Sequence, residues 1–376
     1  MKKSLITLAI FSLYASVAQA QSAVTMYGSF DGGVRQVDNV DAQGNNKTSV
    51  GSTGTYYSNR LGFRGNEDLG NGMNTHFDLE TGFNTGTGAI ADANRLFGRA
   101  AYVGIGGTFG VLDFGRQYSI SKDTVAKYDP FNIYYTGIIP VGSTNGAAAG
   151  GVSVPGGVNT ANNFGGTRFD NDIKYTGTIG PVTLRAEYAP GEVAGTSSMR
   201  SASAVGLAYA AGPFSAGAAY TEKKISSTAA VASQIFNDKA WTVGGAFTLG
   251  SFRVAAGYNN EKIEGATAFG VAAVGDAIQR IGWFGGSYRP APAIELTAAW
   301  YQTRLDTPAA SAAAFGKGKK DLAILGMTYS LSKRTNFYAD IDTTKLNGNT
   351  VLISTTSPTV SENRTSGVSV GISHLF

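Results

Sequence analysis

The chain has 376 residues, 30 Lys+Arg against 26 Asp+Glu for a formal net charge of +4, and no cysteine. Disulfide frameworks and thiolate metal centres are therefore excluded, and a charge so near balance argues against a polyanion-binding protein. Gly is frequent at 51 residues and Pro scarce at 10, with 18 Tyr and 20 Phe, while the mean hydropathy of −0.05 is what alternating polar and apolar residues average to.

Residues 1–20 read as a secretory signal peptide. Lys2 and Lys3 precede an apolar stretch from Leu5 to Val17, and Ala18-Gln19-Ala20 has the small-x-small cleavage pattern. The mature chain then begins at Gln21, and loss of the two lysines lowers the formal charge from +4 to +2. A membrane anchor is the alternative reading. The run is short for a helix of roughly 20 apolar residues and lacks a stop-transfer flank. No later run reaches 18 apolar residues, so no membrane helix is expected.

Beyond the leader the hydrophobic period is two. Sixteen strands are predicted near 23–36, 56–67, 72–84, 95–106, 110–117, 167–177, 181–190, 202–210, 214–224, 240–248, 252–263, 278–288, 293–305, 320–329, 334–345 and 364–376. Asn171, Ile173 and Tyr175 oppose Asp170, Asp172, Lys174 and Thr176. Ile294, Leu296, Ala298 and Trp300 oppose Glu295, Thr297 and Tyr301. Phe337, Ala339 and Ile341 oppose Asn336, Tyr338, Asp340 and Asp342. A soluble sandwich would pack each apolar face into a core; a membrane barrel would turn it to lipid and gather aromatics near strand ends. Phe169, Phe214, Phe252, Tyr258, Phe337 and Phe376 are the candidates for such a girdle.

The connections separate these alternatives. Seven short ones, Leu69–Gly72, Gly106–Gly110, Thr178–Pro181, Ala211–Pro213, Leu249–Ser251, Arg289–Pro292 and Ser330–Lys333, carry turn-forming Gly, Pro, Asn or Ser. They alternate with eight longer ones near 37–55, 85–94, 118–166, 192–200, 225–238, 265–276, 307–318 and 347–363. Strict alternation of short and long is the two-sided pattern of an all-β, 16-stranded antiparallel transmembrane β-barrel, with turns on the periplasmic side and loops outside.

The third long connection, 118–166, would count against a compact domain unless it is functional. It is expected to fold into the barrel mouth and narrow the hole. In the last strand Val368, Val370, Ile372 and Phe376 share one parity against Ser369, Gly371 and Ser373. This ending on an aromatic residue resembles the assembly signal of outer-membrane barrels.

Motifs along the whole mature chain support a family resemblance. They are Val24-Thr25-Met26-Tyr27-Gly28, Ser58-Asn59-Arg60-Leu61-Gly62-Phe63-Arg64-Gly65, Glu67-Asp68-Leu69-Gly70, Arg99-Ala100-Ala101-Tyr102-Val103-Gly104, Phe109-Gly110 and Gly115-Arg116-Gln117. Arg168-Phe169-Asp170-Asn171-Asp172-Ile173-Lys174-Tyr175 and Val370-Gly371-Ile372-Ser373-His374-Leu375-Phe376 complete the set. As a set the chain resembles the trimeric general porins of Gram-negative bacteria, in the beta-proteobacterial branch. The resemblance implies an outer-membrane homotrimer among lipid and lipopolysaccharide, a third loop folded into the lumen, and passive diffusion of small hydrophilic solutes and ions without a cofactor. Val141 to Val158 departs from it toward Gly and Ala.

Parity points Arg60 and Arg64 inward, opposite Leu61 and Phe63, and places Arg168 with Lys174 on a polar face. With Arg99 and Arg116 they form the expected cationic wall of the constriction, since rings of Arg favour anions in pores. Asp123 and Asp129 are the loop acids expected to face them. Alternatively the arginines pair with Asp78, Glu80, Asp170 or Glu187 as structural braces, and Asp129-Pro130 merely starts an exposed turn. His76, beside Asp78, and His374 are the only histidines, and neither has a recognisable serine motif near it, so a barrel enzyme is disfavoured. No transition-metal cluster, phosphate loop or nucleic-acid module is read, and calcium on loop carboxylates has no support in the sequence.

Overall fold

A computed structural model describes residues 23–41, 43–54, 56–132, 167–192, 194–195, 198–199, 201–226, 235–267, 274–306, 317–348 and 363–376. The expected leader, and the expected loop from residue 133 to 166 with its Gly/Ala-rich middle, lie outside them. The strands are β1 (Ala23–Val37), β2 (Lys47–Gly51), β3 (Arg60–Gly70), β4 (Met73–Gly82), β5 (Ala100–Gly107), β6 (Gly110–Tyr118), β7 (Arg168–Ile179), β8 (Val182–Ala189) and β9 (Ala202–Ala211). They continue as β10 (Phe214–Ser226), β11 (Ile235–Leu249), β12 (Phe252–Thr267), β13 (Val274–Ala291), β14 (Ile294–Asp306), β15 (Lys317–Ser330), β16 (Thr335–Gly348) and β17 (Arg364–Leu375). One short helix, α1 (Ile120–Ala126), follows β6.

From β3 onward each strand pairs antiparallel with the next. β1 pairs with β17 from Ser29↔Leu375 to Val37↔Gly367, which closes the sheet on itself. The backbone amide and carbonyl of Phe376 extend that seam to Gly28 at 3.2 Å each. Closure joins the first and last strands, so their backbone groups pair with each other and the ring is held by its ladders without a disulfide. β2 and β3 share one place in the ring, β2 against residues 33–37 of β1 and β3 against 23–29, which gives a sixteen-stranded barrel. The second predicted strand therefore starts later than expected. Residues 52–54 and 56–59 leave the ladder, and hydrogen bonds hold them there: Asn59 donates to Ser52 at 2.6 Å and accepts from the Asp31 amide, and the Thr53 and Tyr338 hydroxyls meet at 2.6 Å.

All seven short connections are tight turns at one end of the barrel. Gly180, Gly212 and Gly250 occupy three of them at φ 56°, 56° and 57°, a left-handed conformation that only a residue without Cβ adopts freely. The outer wall is apolar and open: Val205, Leu207, Val254, Leu325, Ile341 and Val370 are each about half exposed, while Ala204, Gly206, Ala208, Ala255, Ile324, Gly326, Asp340 and Ser369 beside them are buried. The girdle forms at the turn end, where Phe252 stacks on Tyr288 with centroids 4.3 Å apart and Phe376 on Phe30 at 5.4 Å. Phe214 and Phe337 are exposed on the same face.

Phe169 is not part of this girdle. It is wholly buried against Ala189 and Ala202, on the inward parity. Asn171 at φ 56° and a register shift between Gly115 and Gln117 break the alternation just beside it, so a residue counted outward by twos turns in.

Candidate functional site: a cationic wall and a strap on the inner face

The site begins where β6 ends. Tyr118 lies opposite Arg168 in the ladder, and its hydroxyl accepts from Arg99 Nη2 at 2.8 Å and Arg168 Nη2 at 2.7 Å. Lys122 Nζ stands 3.4 Å over the ring centroid and the Arg168 guanidinium carbon at 4.2 Å, while Lys174 Nζ donates to the Tyr118 carbonyl at 2.8 Å. Three cations thus converge on the Tyr118 side chain and a fourth, Lys174, on its backbone carbonyl. Oxygen lone pairs and the ring face stabilise them without cancelling their charge. Burial pushes the Lys122 ammonium below its ordinary value, opposed by Tyr118 and Asp123.

Two carboxylates touch this group. Glu80 bonds Arg99 Nε at 2.5 Å and lies 3.7 Å from Arg60. Its side chain is 6% exposed against 17% and 21% for the two arginines, so the bases cover the acid and present the positive side. Asp123 meets Lys174 at 3.4 Å and Lys122 at 4.0 Å. Arg116 pairs with Asp170 and donates to the Gly98 carbonyl, and Arg64 lies over the Tyr27 ring, whose hydroxyl donates to Asp78. Arg60, Arg99, Arg168 and Lys174 are therefore brought together; Arg64 and Arg116 flank them in separate contacts. Arg168 has no carboxylate within 4.0 Å among the described residues, its other acceptor being the Arg99 carbonyl at 2.8 Å.

From Tyr118 the chain runs along the inward face of the following strands. The α1 amide of Ile120 donates to the Glu187 carboxylate at 3.0 and 3.2 Å, the Ile120 side chain packs on Ala204 and Ala219, and Ser121 and Thr221 hydroxyls meet at 2.7 Å. Tyr128 then packs on Ala246 and Ala255, and its carbonyl accepts from Trp283 Nε1 at 2.9 Å. Arg253 holds the Lys127 carbonyl at 2.6 Å. Phe131 ends on the buried cluster of Ile281, Trp283, Ala299, Tyr301, Leu322 and Ile324. Small inward residues make this path possible: a Cβ at Gly244 would lie 2.7 Å from Tyr128, and one at Gly206 would overlap Ile120.

Asp129 is not among the arginines and is not in an exposed turn. It is wholly buried on the far part of the wall, where it accepts from the Tyr301 hydroxyl and, at 2.9 Å, from the Phe131 amide. Its carboxylate fastens the strap. Tyr118, Lys122 and Glu80 were not singled out for the wall from the sequence. Tyr118 sits beyond a bulge, where strand parity gives no direction, but the small residues at inward positions of β9 to β12 (Ala202, Ala204, Gly206, Gly217, Ala219, Gly244, Ala246, Ala255) were a readable sign that something packs there. His76 meets Asp113 at 2.8 Å, and Thr335 meets His374 at 2.9 Å at the turn end.

The family model described as Gram-negative porin matches residues 6–349. Outer membrane porin protein 32 of Delftia acidovorans is 36% identical over 217 residues, 55% of this chain and 60% of that protein. An outer membrane porin protein of Bordetella pertussis is 34% identical over 187 residues, 46% of this chain and 44% of that protein. The matched segments thus span about half the length of these relatives. Among solved structures, the anion-selective porin from Comamonas acidovorans superposes with a TM-score of 0.75 at 22% identity, over 95% of this chain and 100% of that one, a likeness of fold. With closure, two-sided connections and the family match over most of its length, the chain belongs to the Gram-negative porin family.

Proposed function

We propose that the protein is an outer-membrane porin: a water-filled channel for passive diffusion of small hydrophilic solutes and ions, with a preference for anions. A barrel of sixteen strands encloses more space than its inward side chains fill, so solutes pass without chemistry. The observation that carries the anion preference is the convergence of Arg99, Arg168, Lys122 and Lys174 on Tyr118, with Glu80 tucked behind the arginines. An anion passing such a wall gains attraction that a cation does not.

The segment 118–166 acts as the constriction loop. Its support is the strap from Ile120 to Phe131, pinned to the inner wall at Glu187, Trp283 and Tyr301. The chain works as a homotrimer among outer-membrane lipid and lipopolysaccharide, as its family does, and reaches that membrane by the leader read in residues 1–20. Reconstitution into liposomes tests the reading. Sugars should enter at rates that fall with size, and a salt gradient should set a zero-current potential of the sign given by chloride. Liposomes that exclude the smallest sugars would overturn the channel, and a potential of potassium sign would overturn the anion preference.

A further inference from the structure

On the inner wall, toward the turn end, a cavity of about 400 Å³ lies beyond the far end of the strap, a volume typical of small-molecule sites. Strands β13 to β16 form its floor, and Tyr56 and the strap residue Phe131 close it. Two inward rows of the ladder build that floor: Thr297, Gly326 and Asp340, then Glu295, Thr328 and Tyr338. Gly326 makes the room. A Cβ there would lie 2.5 Å from Asp340 Oδ1 and 3.0 Å from the Phe131 ring. Tyr56 stacks on Tyr338 with centroids 4.7 Å apart, which holds its ring over the second row.

Of the residues lining the cavity three are charged, Arg289, Glu295 and Asp340, so two acids stand against one base. Arg289 Nε donates to Glu295 Oε2, which leaves the terminal guanidinium nitrogens and Glu295 Oε1 without a hydrogen-bond partner among the described residues. Both side chains are open, Arg289 at 65% exposure and Glu295 at 30%. A donor fork and a carboxylate oxygen side by side match the carboxylate and ammonium that an α-amino acid carries on one carbon. Asp340 is buried at the other end, beside Phe131. It lies two strands and one inward position away from Glu295, about 12 Å between their Cα atoms by sheet geometry. That separation leaves room for an extended side chain between the two acids.

We infer that this cavity binds a basic α-amino acid, lysine or arginine, with its head group on Arg289 and Glu295 and its side-chain cation on Asp340. Each ligand charge then meets its opposite, and a solute of net positive charge meets a cavity of net negative charge. The methylenes lie between Phe131 and Tyr56, whose ring faces also attract the side-chain cation. A neutral amino acid leaves Asp340 unmatched, an acidic one sets a like charge against it, and a diamine leaves Arg289 unmatched. Binding in a channel has to be weak enough for the solute to leave again. The inference rests on the porin reading above and adds a solute class with a station of its own, apart from the arginine wall.

The test is ligand-observed saturation-transfer NMR with the purified barrel in neutral detergent at pH 7, titrated with lysine, norleucine, cadaverine and glutamate. Lysine should bind saturably. Norleucine lacks only the side-chain ammonium and cadaverine only the carboxylate, so each should bind about tenfold more weakly, the loss of one charged hydrogen bond. Glutamate should bind more weakly still. Asp340→Asn should bring lysine down to the norleucine level and leave norleucine unchanged. Arg289→Gln should bring lysine down to the level of cadaverine on the wild type; Arg289 is exposed, so this variant decides the matter if Asp340→Asn does not fold. Cadaverine binding as tightly as lysine, lysine binding undiminished in Arg289→Gln, or no saturable lysine binding would overturn the inference. Channels that conduct normally beside such a result leave the porin reading standing; failure of the wild type to form channels would strike that reading instead.

Discussion

Replacing both Arg60 and Arg99 by Gln should reverse the local charge of the wall. These two arginines share Glu80, so the trio carries a formal +1 as built and −1 in the variant. An ion passing about 6 Å away in water feels ~0.7 kcal/mol per unit charge, or ~1.4 kcal/mol for the change of two. Screening at 0.1 M salt, with a Debye length of about 10 Å, lowers this to ~0.8 kcal/mol, against the anion and in favour of the cation, so the anion-to-cation permeability ratio falls roughly fifteenfold. The zero-current potential of single channels under a potassium chloride gradient reads this directly. Glu80→Gln is the matched control, because it removes the hidden acid and should raise the ratio. Conducting channels in which both variants keep the wild-type potential would refute the view that this wall sets selectivity.

Other expectations follow from the same contacts. Gly244→Leu should push Tyr128 off the inner wall and change single-channel conductance while the barrel still closes, as seen by unchanged heat-dependent mobility. Phe376→Ala should lose the stack on Phe30, which contributes about 0.5–1.5 kcal/mol, and lower the melting temperature of the seam between β1 and β17. Anion preference should weaken with alkali at a lower pH than an ordinary lysine titrates, because burial favours neutral Lys122; potentials measured from pH 7 upward check this. In the 83–99 loop, burial pushes the Asp92 carboxyl up, but Arg95 at 2.9 Å and the Asn94 amide outweigh it and hold it below its ordinary value. That turn should therefore keep its full stability above the unfolded carboxylate value of ~3.9 and lose it as pH falls through the depressed one, seen as faster amide exchange in acid.

The barrel was legible because a strand between lipid and water must alternate, and Phe337 to Asp342 does so without exception. Turn chemistry was legible for a similar local reason: Gly180, Gly212 and Gly250 each sit where a left-handed residue is required. What failed was whatever depends on contacts distant in sequence. Asn171 shifts the parity that would have put Phe169 outside. Thr53 and Asn59 leave the ladder for partners on β16 and β1, which no local period announces. Arg60 and Arg64 were placed inward by counting, but that Arg99 and Arg168 share the Tyr118 hydroxyl depends on β5, β6 and β7 meeting at one level. Asp129 shows the same limit, since an Asp-Pro pair signals a turn in the sequence and becomes a buried fastener only when Tyr301 arrives from β14.

Single-channel recording of the purified wild-type protein in a planar bilayer, with a tenfold potassium chloride gradient, tests the central claim most directly. Discrete conductance steps with a zero-current potential displaced toward the chloride equilibrium potential are the result predicted for a closed, water-filled barrel with a cationic constriction. A bilayer that stays electrically silent with folded protein inserted would contradict it.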